Sequence, residues 1–93
     1  MTVVFTAPAR AKLDNILAYT KRSYPIQLAK LEAQIRDVTA RVERFPQNAK
    51  VFSQRPGVRI VPFIRYPFLI FYREIDGAIE TLHVYHVARE AWE

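Results

Sequence analysis

Cysteine is absent from the 93 residues, which excludes disulfides and thiolate metal sites and suits a reducing cytoplasm. There are two histidines and the carboxylates are scattered, so no metal-ligand spacing exists and neither a metal nor any other cofactor is expected. G-x-x-x-x-G-K, G-x-G-x-x-G and serine-nucleophile patterns are missing, as are internal repeats and low-complexity tracts. No stretch approaches the roughly 18 apolar residues of a membrane span. The opening "MTVVFTAPARAKL" has no basic region followed by a long apolar run, so no secretory signal is expected and the chain is assigned to the cytoplasm.

What is present is an ordinary globular balance, with 51% hydrophobic and 25% charged residues. The length suits a single domain over residues 1–93, with one core that buries about 60–65% of the unfolded surface. The net charge of +5 points to acidic partners. The basic residues are dispersed, with no run of four or more, so charge alone does not separate a binding surface from a solvated face.

Thr2 to Phe5, "TVVF", is β-branched and aromatic and reads as a first strand. Thr6 is placed to cap a helix with Pro8 in its first turn. Leu13, Ile16 and Leu17, continued by Tyr24, form an apolar stripe, with Thr20 its weak position. Pro25 ends this helix by excluding helical geometry from Tyr24. A second helix runs from about Pro25 to Arg44, with Leu28, Leu31, Ile35, Val38, Val42 and Phe45 on one face. The tight junction predicts a helical hairpin. Residues 46–57, "PQNAKVFSQRPG", read as a loop. From Val58 the period becomes two, and "VRIVPF", "PFLIFYR" and "IETLHVYH" predict three strands. The order β-α-α-β-β-β predicts an α+β domain with the hairpin on one face of an antiparallel sheet. Its expected core is Leu17, Leu31, Ile35, Val38, Ile70, Leu82 and Val84.

The last hairpin admits two registers. A two-residue Asp76-Gly77 loop pairs Ile70 with His83. A three-residue "IDG" loop gives Phe68, Ile70 and Tyr72 the same face as Val84, Leu82 and Glu80. The second gathers more apolar residues on one face and is preferred. The opposite face then carries Leu69, Phe71, Arg73, Thr81, His83 and Tyr85.

Taken in order, the N-terminal strand, the helical hairpin ended by Pro46, "GVRIVPF", "YPFLIFYRE" and "HVAREAW" resemble the ParE/RelE toxin superfamily over nearly the whole chain. The ParE-like branch fits best. The resemblance implies the toxin of a bacterial type II toxin–antitoxin pair, held inactive by a cognate antitoxin in a hetero-oligomer. ParE-like toxins act on DNA gyrase, whereas RelE-like relatives cut mRNA on the ribosome. RelE-like nucleases resemble one another in placing an arginine early in the third strand of the chain, basic residues along the second, and further basic or aromatic groups near the C-terminus. Leu69 stands at the third-strand position here, and the second strand offers Arg59 but Val61 two residues on. A binding toxin is therefore expected, with an endoribonuclease or a non-toxic relative as alternatives. Direct nucleic-acid binding is not expected.

The outer sheet face is the expected antitoxin surface: Arg59, Leu69, Phe71, Arg73, His83 and Tyr85, with Val61 and Phe63 if the second strand keeps phase. Such a contiguous apolar patch rimmed by arginines suits an acidic partner that folds as it binds. His86, Arg89 and Trp92 are the expected target-binding edge, and a nuclease would use Arg59, His86 and Arg89. Beside that stands a plainer reading, in which His86 hydrogen-bonds a loop backbone, Arg89 pairs with Glu90 or Glu93, and Trp92 anchors the terminus by packing.

Overall fold

A computed structural model describes residues 1–87. The chain begins with β1 (Thr2–Phe5), followed by α1 (Ala7–Ser23) and α2 (Pro25–Arg44). Thr6 has the extended backbone of an N-cap (φ −64°, ψ 161°), and the Ala9 N–H donates to its Oγ1 at 3.3 Å. That bond satisfies one of the donors left over in a first helical turn. Tyr24 alone separates the helices. Its backbone (φ −141°, ψ 61°) is non-helical, as a residue before proline requires, and its N–H closes α1 on the Thr20 carbonyl at 2.8 Å. Pro25 then opens α2, and the two helices pack against each other. Tyr24 is 58% exposed and Phe45 50%. Neither belongs to the apolar stripe of its helix as expected, because each sits at a cap where the helical phase has ended.

Residues 46–57 are not all loop. Lys50–Val51 forms β2, which pairs antiparallel with β3 (Val58–Pro62). β3 pairs antiparallel with β4 (Phe68–Ile75), and β4 with β5 (Ala78–His86). β1 lies parallel to β5, so the five-stranded order is β1-β5-β4-β3-β2 and the sheet is mixed, not antiparallel. The crossover through the two helices permits this, since parallel neighbours need a long connection over one sheet face.

The β4–β5 register combines both expectations. Ile75 pairs with Ala78, so Asp76-Gly77 is a two-residue loop, with φ of 49° and 75°. Two successive left-handed residues are the signature of a type I′ turn, whose twist matches a hairpin. Further along, Phe71 pairs with His83 but Tyr72 with Thr81, which leaves Leu82 as an extra residue. This bulge shifts the far half of the hairpin by one, so that Ile70 meets Val84 and not His83. The three-residue loop is thus incorrect: Phe68, Ile70 and Tyr72 share the inner face with Val84 as expected, but Leu82 and Glu80 do not. Near the turn the faces are reversed from expectation. Ile79 and Thr81 point into the core, 0% and 1% exposed, and Glu80 faces out to pair with Arg73.

The main core lies between the helices and the sheet. Ala9, Leu31, Val38 and Val42 pack there on Phe63, Phe68, Ile70, Tyr72, Ile79 and Val84. Leu17 and Ile35 are half-buried at its margin, with Val3 and Phe5 of β1. Leu82 is not part of it, because the bulge turns it to the other side.

Candidate functional site: an outer sheet face and a hairpin-end groove

Alternation along β3 and β4 divides the expected antitoxin residues between two faces. Ile60 pairs with Phe71 and Pro62 with Leu69, whereas Val61 pairs with Ile70. Val61 and Phe63 therefore lie on the helix-covered side, in or against the main core, and do not belong to the outer face. Arg59 pairs with Tyr72 and shares that inner phase. Its Nη1 donates to the Ala49 carbonyl at 2.8 Å, which ties the segment before β2 to β3. Pairing of β3 with β4 sets its phase, and that pairing was not legible from alternation within one strand.

The outer face gathers Leu69, Phe71, Arg73, His83 and Tyr85. Phe71 and Tyr85 are each 8% exposed, so they do not form an open patch. With Val58 they build a second small core, edged by half-buried Phe52, Ile60, Leu69 and Leu82. The Phe52 and Phe71 rings meet edge to face, 5.1 Å apart at 87°. His83 lies 5.9 Å from Phe71 and 5.8 Å from Tyr85 between ring centroids. Arg73 Nε donates to Glu80 Oε1 at 2.9 Å, so this cation is already neutralised across the strands. Thr81, expected on this face, is in the main core.

Near Arg59 the Tyr72 hydroxyl donates to the Pro46 carbonyl at 2.8 Å, holding the chain just past α2. Burial pushes the Tyr72 phenol above its ordinary value, with Arg59 opposing the shift. A cavity of about 370 Å³ opens beside it, lined by Gln47, Arg59, Tyr72, Arg73 and Glu74 among others. Both arginines that line it already have a bond elsewhere, Arg59 to the Ala49 carbonyl and Arg73 to Glu80, which makes a weak phosphate cradle.

His86 ends β5 on the inner side, opposite Phe68, with their rings edge to face at 4.9 Å. Among the described residues its buried Nδ1 has no hydrogen-bond partner, which would cost about 1–3 kcal/mol. The next backbone amide fastens the strand end to the β3–β4 loop, where the Val87 N–H donates to the Pro67 carbonyl at 2.8 Å. Arg89 and Trp92 lie outside the described residues.

One end of the molecule holds a groove that alternation did not reveal. His86 lines a cavity of about 460 Å³ with Lys12, Ile16, Tyr19, Tyr24, Leu31, Tyr66 and Phe68. Tyr66 and Gln27 also line a second one of about 620 Å³, with Lys30, Gln34, Asp37, Ile64 and Arg65. The sequence signal was the apolar stretch "FIRY" bounded by Pro62 and Pro67, too short to cross the core and too apolar for an ordinary turn.

Among the described residues no group of three or more metal-ligating side chains occurs, and no helix is long and apolar enough to cross a membrane. Fold and surfaces define a small α+β domain with a half-buried outer sheet rim and a groove at its hairpin end. The chain belongs to the ParE toxin family of type II parDE toxin–antitoxin systems, whose sequence model it matches over residues 3–91. Among solved structures it is similar to a chain of the chromosomal ParDE toxin–antitoxin system from P. aeruginosa, at 27% identity and a TM-score of 0.78. The match covers 94% of this chain and 96% of that one. No curated protein sequence matches the chain.

Proposed function

We propose that this ParE-family toxin arrests the cell by binding DNA gyrase in the cytoplasm and that a cognate antitoxin neutralises it. The observation that carries a binding toxin over a nuclease is the state of the positions where phosphate-holding cations would stand. Leu69 occupies the third-strand position, Val61 is turned into the core, and Arg59 and Arg73 are bonded to Ala49 and Glu80. A ribonuclease needs cations and an acid–base pair converging on one phosphate. His86 is on the inner side of the sheet, away from Leu69 and Arg73, so these groups do not converge.

The antitoxin is read onto the outer sheet face, along half-buried Ile60, Leu69, Leu82 and His83 beside Arg73. Leu69 offers apolar area without closing the second core, so Leu69→Gln should lower antitoxin affinity about tenfold with the fold retained. Calorimetry against the purified antitoxin measures this.

Gyrase supercoiling and ribosome-dependent mRNA cleavage, assayed on one preparation, test the activity. Inhibited supercoiling or trapped cleaved DNA is expected. Codon-positioned mRNA cuts that disappear in Arg59→Ala or His86→Ala would establish a nuclease instead, and induction without any growth defect would establish a non-toxic relative.

A further inference from the structure

Several of the most exposed large apolar side chains collect at the hairpin end. Ile26 is 83% exposed, Ile64 70%, Tyr24 58% and Val87 51%. Tyr24 and Ile26 sit at the helix junction, Ile64 in the loop between β3 and β4, and Val87 is fastened to that loop at Pro67. Tyr24 and Ile64 line the groove made by the two adjoining cavities, which share Tyr66 and Gln27, while Ile26 and Val87 are chain neighbours of the lining residues Gln27 and His86.

The groove is held open by bonds independent of those apolar side chains. The Ile64 N–H donates to Gln34 Oε1 at 2.8 Å, Phe63 N–H to the Phe68 carbonyl at 3.0 Å and Phe68 N–H to the Tyr66 carbonyl at 2.8 Å. Tyr19 and Tyr24 meet edge to face at 6.1 Å. Loop and helix junction are thus fixed while their aliphatic groups stay in water, and a preformed apolar surface costs little ordering on binding.

We propose that this groove is the surface by which the toxin grips the protein it arrests, and that it receives an acidic segment carrying apolar anchors. The inference rests on the reading of the protein as a binding toxin, and adds where the target sits and what chemistry it presents. Charge selects the occupant. Among the described residues lining the groove, Lys30 and Arg65 stand against one carboxylate, Asp37. A second copy of this chain, itself at +5, would bring like charge to a like-charged surface. Nucleic acid would satisfy the cations and could stack on Tyr19, Tyr24 or Tyr66, yet it would leave the aliphatic Ile26, Ile64 and Val87 without apolar partners. An acidic protein segment answers both, with anchors in the groove and carboxylates toward Lys30 and Arg65. The groove is separate from the outer sheet face, so the same toxin can be tested for the two partners independently.

The test compares the full-length toxin with I26D/I64D and K30E/R65E. Ile26 and Ile64 are exposed, so both variants should melt within a few degrees of the wild type and bind purified antitoxin within about threefold of it. The expected result is that I26D/I64D loses growth arrest on induction and needs about tenfold more protein to inhibit purified gyrase. K30E/R65E should weaken inhibition and flatten its salt dependence. Growth arrest by I26D/I64D equal to the wild type would overturn the proposal. So would a variant that lost antitoxin binding but kept arrest, or nucleic-acid binding abolished by K30E/R65E and untouched by I26D/I64D. A wild-type toxin that arrests growth without inhibiting gyrase removes gyrase as the target, and the groove then stands only if I26D/I64D fails to arrest. A wild type that arrests nothing overturns both readings.

Discussion

The two faces of the sheet are built from the same alternating strands and end in different states. On the inner face Ile70, Tyr72, Ile79 and Val84 are 4% exposed or less, because the helical hairpin covers them. On the outer face Val58, Phe71 and Tyr85 are buried largely by neighbours on adjacent strands and by Phe52 in the segment before β3, and a half-buried rim remains. Aromatic rings make this second arrangement workable, since each covers a large area and meets its neighbours edge to face. An apolar strand face that no helix covers is therefore not automatically a free docking patch. Here it is a thin core with a narrow apolar rim, while the most exposed aliphatic groups lie at the hairpin end.

The sharpest way to break this contrast is Phe71→Glu. If the outer face were an open patch, the variant would fold and lose a partner. Because Phe71 packs against Phe52, His83 and Tyr85, the substitution strands a charge in a small core and should cost more than about 3 kcal/mol. Chemical denaturation is expected to show a largely unfolded protein, and a stable Phe71→Glu variant would refute the second core. Next in size, Leu31→Ala should cost about 2–5 kcal/mol as a truncation in the deepest part of the main core. Leu82→Ala, on the half-buried outer rim, should cost only about 1 kcal/mol. Equal losses for the two leucines would mean that the bulge does not turn Leu82 outward.

The smallest effect belongs to Tyr72→Phe, which removes the hydrogen bond to Pro46 and should cost about 1 kcal/mol. It carries a pH signature. Burial raises the phenol above its ordinary value of 10.0, so the folded state holds the proton more tightly than the unfolded one. The stability this represents is fully present below that value and is lost as pH rises through the folded-state value. Tyr72→Phe should flatten the alkaline limb of the stability profile measured by denaturant melts.

Much of the fold was legible because local chemistry agreed with the global arrangement. Thr6, Pro25 and Pro46 punctuate the helices, and their effects act within a turn. The strand segments from Val58 onward showed in their period of two. The candidate site was legible in part. Leu69, Phe71, Arg73, His83 and Tyr85 do share a face, whereas Val61, Phe63 and Arg59 required the pairing of β3 with β4 to be placed. Apart from the odd stretch "FIRY", the groove was not legible, because Lys12 and Tyr19 of α1, Ile64 of the β3–β4 loop and His86 of β5 come from three separate parts of the chain and no spacing relates them.

By itself, then, the sequence determined the two helices and four of the five strands, where the helices begin and end, and the absence of cysteine chemistry, since each depends on residues within a few positions. The tertiary structure decided the parallel pairing of β1 with β5, the short edge strand β2 and the bulge at Leu82. Each of these is a competition between registers or neighbours that are locally similar in energy, settled by which arrangement buries Ile79, Thr81 and Val84 beneath the helices. The same competition left Phe71 covered and Ile64 in water.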